Sequence, residues 1–143
     1  MILNCKNCID TFSSQVAGIR YAESHKIFGL ILVGAYASHL DDEIERKSGY
    51  FDGDWLWEKV RENCTTNSNV NIAQFGSKDD PFLPWEEQVK VADGLKADLK
   101  AFTDKGHFQQ STFPELVNCV KDMITLSHKS RINIFILIQS VLK

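Results

Sequence analysis

Ile27-Phe28-Gly29-Leu30-Ile31-Leu32-Val33 is apolar or glycine at every position. A strand with one face in water alternates apolar and polar residues. One without that alternation is buried on both faces, as in a parallel sheet covered by helices. Working outward, Val16, Ile19 and Ala22 recur at helical spacing, which predicts a helix from about Ser13 to His25 with Ser13 or Ser14 as its cap. On the other side, Asp52 to Asn63 reads as a helix capped by Asp54, with Trp55, Leu56 and Val60 inward. Val70 to Phe75 and Ala97 to Phe102 read as strands. Between them Pro84-Trp85-Glu86-Glu87-Gln88 opens a helix, because proline suits the first turn and carboxylates oppose the positive end of the dipole. Val89, Ala92 and Leu95 should form its inner face, and a last helix from Pro114 should bury Leu116, Val117, Val120, Met123 and Ile124. Ser38 to Ser48 reads as a solvated loop or helical lid, and Thr65 to Asn69 as a polar turn. Strands alternating with helices predict an α/β fold with a parallel, Rossmann-like sheet and flanking helices. Ile132 to Ile138 is crowded with apolar, β-branched residues and fits either a strand or a helix.

The chain has 143 residues, enough for one domain, with 43% hydrophobic and 24% charged residues. A formal net charge of −3 favours neither nucleic acid nor an acidic membrane surface as a partner. No apolar run approaches the roughly 20 residues a membrane helix needs, and Met1-Ile2-Leu3-Asn4-Cys5-Lys6 lacks the order of a secretory signal. The expected address is the cytosol, with Cys5, Cys8, Cys64 and Cys119 as free thiols. Cys5 and Cys8 form a C-x-x-C, but His25, His39, His107 and His128 are too scattered to complete a zinc site. No cofactor or metal is expected.

Ligands of open α/β sheets gather on loops beyond the carboxyl ends of strands. Gly76-Ser77-Lys78-Asp79-Asp80-Pro81 follows one strand, and a loop with Asp104 and His107 follows the next. Asp80 and His107 lie 27 residues apart, room for one helix and one strand, so adjacent parallel strands would set the two loops side by side. A carboxylate there can orient an imidazole and stabilise its protonated form. Acid before base, each after a strand, is also the chain order of the α/β-hydrolase triad.

Longer words of sequence sharpen this. Arg20-Tyr21-Ala22-Glu23-Ser24-His25, Ser48-Gly49-Tyr50-Phe51, Gln74 to Trp85 and Phe102-Thr103-Asp104-Lys105-Gly106-His107-Phe108 closely resemble the retinoblastoma-binding protein 9 family of small serine hydrolases. The resemblance runs from about Ser13 to about Leu126 and corresponds to the C-terminal part of the family's domain. It implies an incomplete α/β-hydrolase sheet without its N-terminal strands. It also implies a Ser-Asp-His triad in which the acid is Asp80, rather than Asp79, and the base is His107. Small esters, amides or peptides are the implied substrates. The chain then divides into an atypical segment 1–12, the hydrolase portion 13–128 and a divergent apolar tail 129–143.

The resemblance fails at the nucleophile. The family carries Gly-His-Ser-Ser-Gly just before the helix containing Arg20, whereas this chain reads Asp10-Thr11-Phe12-Ser13-Ser14-Gln15. Counted back from Arg20 without a gap, the nucleophile position falls on Phe12; a one-residue gap sets Ser13 there, flanked by Thr11 and Gln15 in place of the glycines. Those glycines keep strand and helix close around a strained turn, so threonine and glutamine should crowd it. Ser13 reads better as a helix cap. The family's glycine-rich oxyanion loop and its Leu-x-Cys-x-Glu segment also have no counterpart here, which removes the basis for expecting retinoblastoma-protein binding. Trp55, Trp57 and Trp85 are candidates for an acyl pocket, though packing is the commoner role of tryptophan. A sheet lacking its first strands should expose an edge and self-associate.

Overall fold

A computed structural model describes residues 14–66, 68–127 and 134–138. Its helices are α1 (Ser14–Ala22), α2 (Glu43–Lys47), α3 (Trp57–Asn63), α4 (Trp85–Leu95) and α5 (Pro114–Ser127). Its strands are β1 (Gly29–Val33), β2 (Thr65–Thr66), β3 (Asn69–Val70), β4 (Ile72–Ser77), β5 (Asp98–Phe102) and β6 (Ile134–Ile138). Four strands form one sheet in the order β5-β4-β1-β6, and every pairing in it is parallel. The fold is therefore α/β.

The unalternating run behaves as its sequence requires. Leu30 and Leu32 enter a core with Ile19, Val60, Val91 and Leu95. Ile31 and Val33 enter a second core with Phe75, Phe108, Leu116 and Met123. Successive side chains of a strand point to opposite faces, so helices from both sides are needed to bury all of them. Fully burying one such side chain stabilises by about 1.5–3 kcal/mol. In β4, Gly76 lies so close to α4 that an added β-carbon would stand 2.7 Å from Gln88 Oε1 and 3.0 Å from Trp85 Cζ3. Only glycine leaves α4 that room.

Several boundaries depart from the sequence reading. Strand β5 begins one residue later than read, at Asp98, and lies at the sheet edge with its residues exposed or half-buried. Helix α3 begins at Trp57, with Leu56 at its cap position and no side-chain cap, so Asp54 is not the cap. On α4 the buried residues are Gln88, Val91, Ala92 and Leu95, while Val89 is only half-buried. On α5 Leu116 and Met123 are buried, whereas Val117 and Ile124 are exposed. The expected polar turn forms a small antiparallel hairpin, β2 with β3.

Ser38 to Ser48 is not simply a solvated loop. Asp42 caps α2 by accepting from the amides of Ile44 and Glu45. Glu45 itself is buried, and its carboxylate accepts a hydrogen bond from the Tyr36 hydroxyl. Burial, reinforced by that carboxylate, pushes the Tyr36 phenol well above its ordinary range.

The tail contributes a strand. Gly29 to Val33 pair in register with Ile134 to Ile138, so β6 flanks β1 on one side and β4 on the other. Among the described residues, the edge strands of this sheet are β5 and β6, and β1 is interior.

Candidate functional site

The loops after β4 and β5 meet at the carboxyl end of the sheet. Register brings them together: Ser77 pairs with Phe102 at the last rung, and the Lys78 amide donates to the Phe102 carbonyl at 2.9 Å just beyond it. From there the chain delivers Asp80 and His107 to each other. His107 Nδ1 stands 3.0 Å from Asp80 Oδ1 and 2.9 Å from Oδ2. The side chains are 3% and 0% exposed, respectively. An ionised carboxylate only accepts, so Nδ1 carries the proton and donates it to Asp80. Nε2 is then the nitrogen able to take a proton, the arrangement a general base requires.

Both groups are held from several directions. Asp80 Oδ1 also accepts from the amides of Phe82 at 2.9 Å and Leu83 at 3.0 Å, closing the turn around its own side chain. The Phe82 ring meets the His107 ring edge-on at 5.0 Å. On the histidine side, Gly106 and Phe108 take positive φ of 51° and 54°. Glycine adopts that backbone freely, but phenylalanine does not. Phe108 is kept there by packing on Phe102 and Phe113, with ring centroids 6.2 and 5.4 Å away. Phe108 thus points into the core while its neighbour His107 faces Asp80.

Gln88 supports the other loop from below. Its Oε1 accepts from the Ser77 amide at 3.0 Å, and its Nε2 donates to the Ser77 and Leu83 carbonyls at 3.1 and 3.2 Å. Periodicity gives no sign of this role, because a glutamine on the inner face of a helix reads as an interruption of the apolar pattern.

Asp79 and Asp80 part company. Asp79 is exposed and bonded to Ser77 and the Gly106 amide rather than to the imidazole. Asp104 is exposed as well. Ser13, Thr11, Cys5, Cys8 and His128 lie outside the described residues. Gln15, expected to crowd a strand-to-helix turn, is fully buried and donates from Nε2 to the Val33 carbonyl at 3.0 Å. The first turn of α1 nevertheless adjoins the site, since Val16 shares a buried cluster with Tyr36 and Leu83. The Leu83 amide is the one that Asp80 holds.

Trp55 donates from Nε1 to the Ala37 carbonyl at 2.9 Å and stacks on Trp57 at 5.0 Å, while Lys78 lies 5.5 Å from the Trp85 ring. Burial pushes the Cys64 thiol up to about 12 and raises that of Cys119, so neither supplies thiolate near neutral pH. Among the described residues, no group of three His, Cys, Asp or Glu is arranged to hold a metal ion. Among them, too, no helix is long and apolar enough to cross a membrane.

No family model matches the chain. It is 56% identical over 113 residues to the serine hydrolase RBBP9 of Rattus norvegicus, an alignment covering 79% of this chain and 58% of that relative. The chain thus spans a little over half the length of the curated relative it matches. Its fold is similar to the crystal structure of the ydeN gene product from B. subtilis, with a TM-score of 0.65 and 21% identity, over 80% of this chain and 62% of that one. That second likeness speaks to the fold alone. More than half the residues are identical over most of this chain's length, so for the part compared the chain is similar to the serine hydrolase RBBP9.

Proposed function

We propose that this chain carries the acid–base half of a Ser-Asp-His hydrolase, acting on small esters, amides or peptides, and lacks a competent nucleophile elbow. The hydrogen bond between buried Asp80 and His107 carries this reading. In such a site His107 takes the proton of an attacking hydroxyl at Nε2 and returns it to the leaving group, while Asp80 holds the tautomer and stabilises the imidazolium. Ser13 is the candidate nucleophile, and a weak one, because Thr11 and Gln15 stand where the turn calls for glycine. We place the chain in the cytosol, where Cys64 and Cys119 stay reduced.

Covalent labelling with a fluorophosphonate probe tests the reading. A hydrolase with a working Ser13 labels, and Ser13→Ala abolishes the label. We expect the folded chain to label at no more than a trace. Strong labelling that Ser13→Ala removes would overturn the inactive reading, and no labelling at all removes the enzyme claim for this chain.

A second reading, a catalytically inactive fragment that associates with other chains, is favoured by one observation. Strand β6 is apolar throughout, and among the described residues its outer side carries no strand. An apolar edge strand is a template for pairing. Size-exclusion chromatography of the chain with and without residues 130–143 should show self-association that changes on truncation. A monomer in both cases removes this reading.

A further inference from the structure

Beyond the Ser77–Phe102 rung and the Lys78 amide's bond to the Phe102 carbonyl, side chains take over from the backbone in joining the two loops. Ser77 Oγ donates to Asp79 Oδ1 at 2.5 Å and accepts from the Lys105 amide at 3.2 Å. The same Asp79 oxygen accepts from the Gly106 amide at 3.1 Å. One serine and one carboxylate on the first loop thus anchor two consecutive amides on the second. The second of these amides belongs to the residue directly before His107. Gly106 sits at a φ of 51°, so its amide and the path into His107 are set together. Asp79 makes these contacts from an exposed position, which excludes a role in core packing.

We propose that Asp79 is a positioning residue that, with Ser77, clasps the His107 loop to the Asp80 loop and so fixes the approach of the imidazole to its carboxylate. The inference rests on reading Asp80 and His107 as an acid–base pair. The clasp persists through the pH range in which histidine titrates. The Ser77 hydroxyl and the Gly106 and Lys105 amides hold the Asp79 carboxyl below its ordinary value, against a smaller opposing effect of desolvation. A depressed folded-state value means that this carboxylate supports the fold above the unfolded value of about 3.9 and loses that effect only as pH falls through the folded value.

NMR of the full chain tests this by following the His107 Nδ1–H resonance and its exchange with solvent in Asp79→Ala, Asp79→Asn, Ser77→Ala and Asp80→Asn. A ring N–H that donates to a buried carboxylate is protected from exchange with water. Loosening the pair should shift that resonance and speed its exchange by about tenfold in both Asp79→Ala and Ser77→Ala. Asp79→Asn keeps an acceptor oxygen and should stay near the wild-type value. That pattern separates positioning from simple charge, since Ser77→Ala removes no charge and Asp79→Asn removes one. Equal shifts in Asp79→Ala and Asp79→Asn, with none in Ser77→Ala, would mean charge alone and overturn the proposal. No shift in any of these three, while Asp80→Asn moves the resonance, overturns it and leaves the Asp80–His107 pairing standing. If Asp80→Asn also leaves His107 unmoved, the pairing itself fails. Amide spectra outside residues 77–82 and 103–108 should stay unchanged, confirming that each variant is folded.

Discussion

Phe75→Ala is expected to destabilise the chain by about 3–5 kcal/mol, the range for truncating a buried aromatic in a core that collapses only partly. Phe75 is fully buried on the central part of β4. Its ring lies parallel to Phe102 at 6.3 Å and meets Phe113 edge-on at 5.1 Å. Those rings in turn hold Phe108 and, through it, the backbone beside His107. A typical domain is stable by only about 5–15 kcal/mol, so the loss would leave a large unfolded fraction. In urea, where small proteins lose about 1–3 kcal/mol per molar, the unfolding midpoint should drop by roughly 2 M. Phe75→Leu, which keeps most of the volume, should cost less than about 1.5 kcal/mol. A midpoint within a few tenths molar of wild type for Phe75→Ala would contradict this account of the core.

Arg20→Ala should cost about 2–4 kcal/mol, a large effect for a residue outside the cores. The Arg20 guanidinium donates to the carbonyls of Tyr50 at 2.8 Å, Asp54 at 3.0 Å, Asp52 at 3.2 Å and Gly53 at 3.3 Å. It also pairs with Glu23 at 2.8 Å and stacks 4.0 Å over Trp55. Glu23 in turn accepts from the Leu56 amide at 3.1 Å, the entry to α3. The arginine side chain is 18% exposed, which tempers the cost of leaving Glu23 unpaired. Arg20→Lys should recover little, because an ammonium cannot reproduce a planar fork of donors over a ring. Denaturation midpoints give the energies, and limited proteolysis locates the effect. Cleavage should rise between Tyr50 and Leu56 in Arg20→Ala, and unchanged resistance there would argue that the loop is held by other contacts.

The same arginine explains where the sequence misled. Asp52, Gly53 and Asp54 look like the capped start of a helix. Their carbonyls instead face Arg20, so the helix starts only at Trp57, a tertiary contact overriding a local signal. Strand β1 was legible because an unbroken apolar run has one economical home. Strand β5 was harder to place, because its edge position shows in Asp98 and Lys100 only once its neighbours are known. At the site, spacing made Asp80 and His107 plausible and the surrounding words made them assignable. Asp79 and Asp80 are chemically alike; the resemblance singled out Asp80, and the geometry gives them different partners, His107 for Asp80 and Ser77 with the Gly106 amide for Asp79. The buried Glu45 beneath Tyr36 left no trace in a segment that reads as surface. The strand at Ile134 to Ile138 was undecidable for the same reason, since its partner β1 is remote in sequence.

That remoteness has a bearing on biosynthesis. On one side of β1, strand β4 can join after two helices and one hairpin. The strand that covers its other side is translated roughly a hundred residues later. At about 5–20 residues per second, the apolar flank of β1 waits on the order of ten seconds for its cover. During that interval the nascent chain presents an open parallel edge, the condition under which holdase chaperones bind and neighbouring nascent chains on a polysome mispair. The yield of folded protein should therefore depend more on elongation rate and chaperone supply than on the stability of the finished sheet.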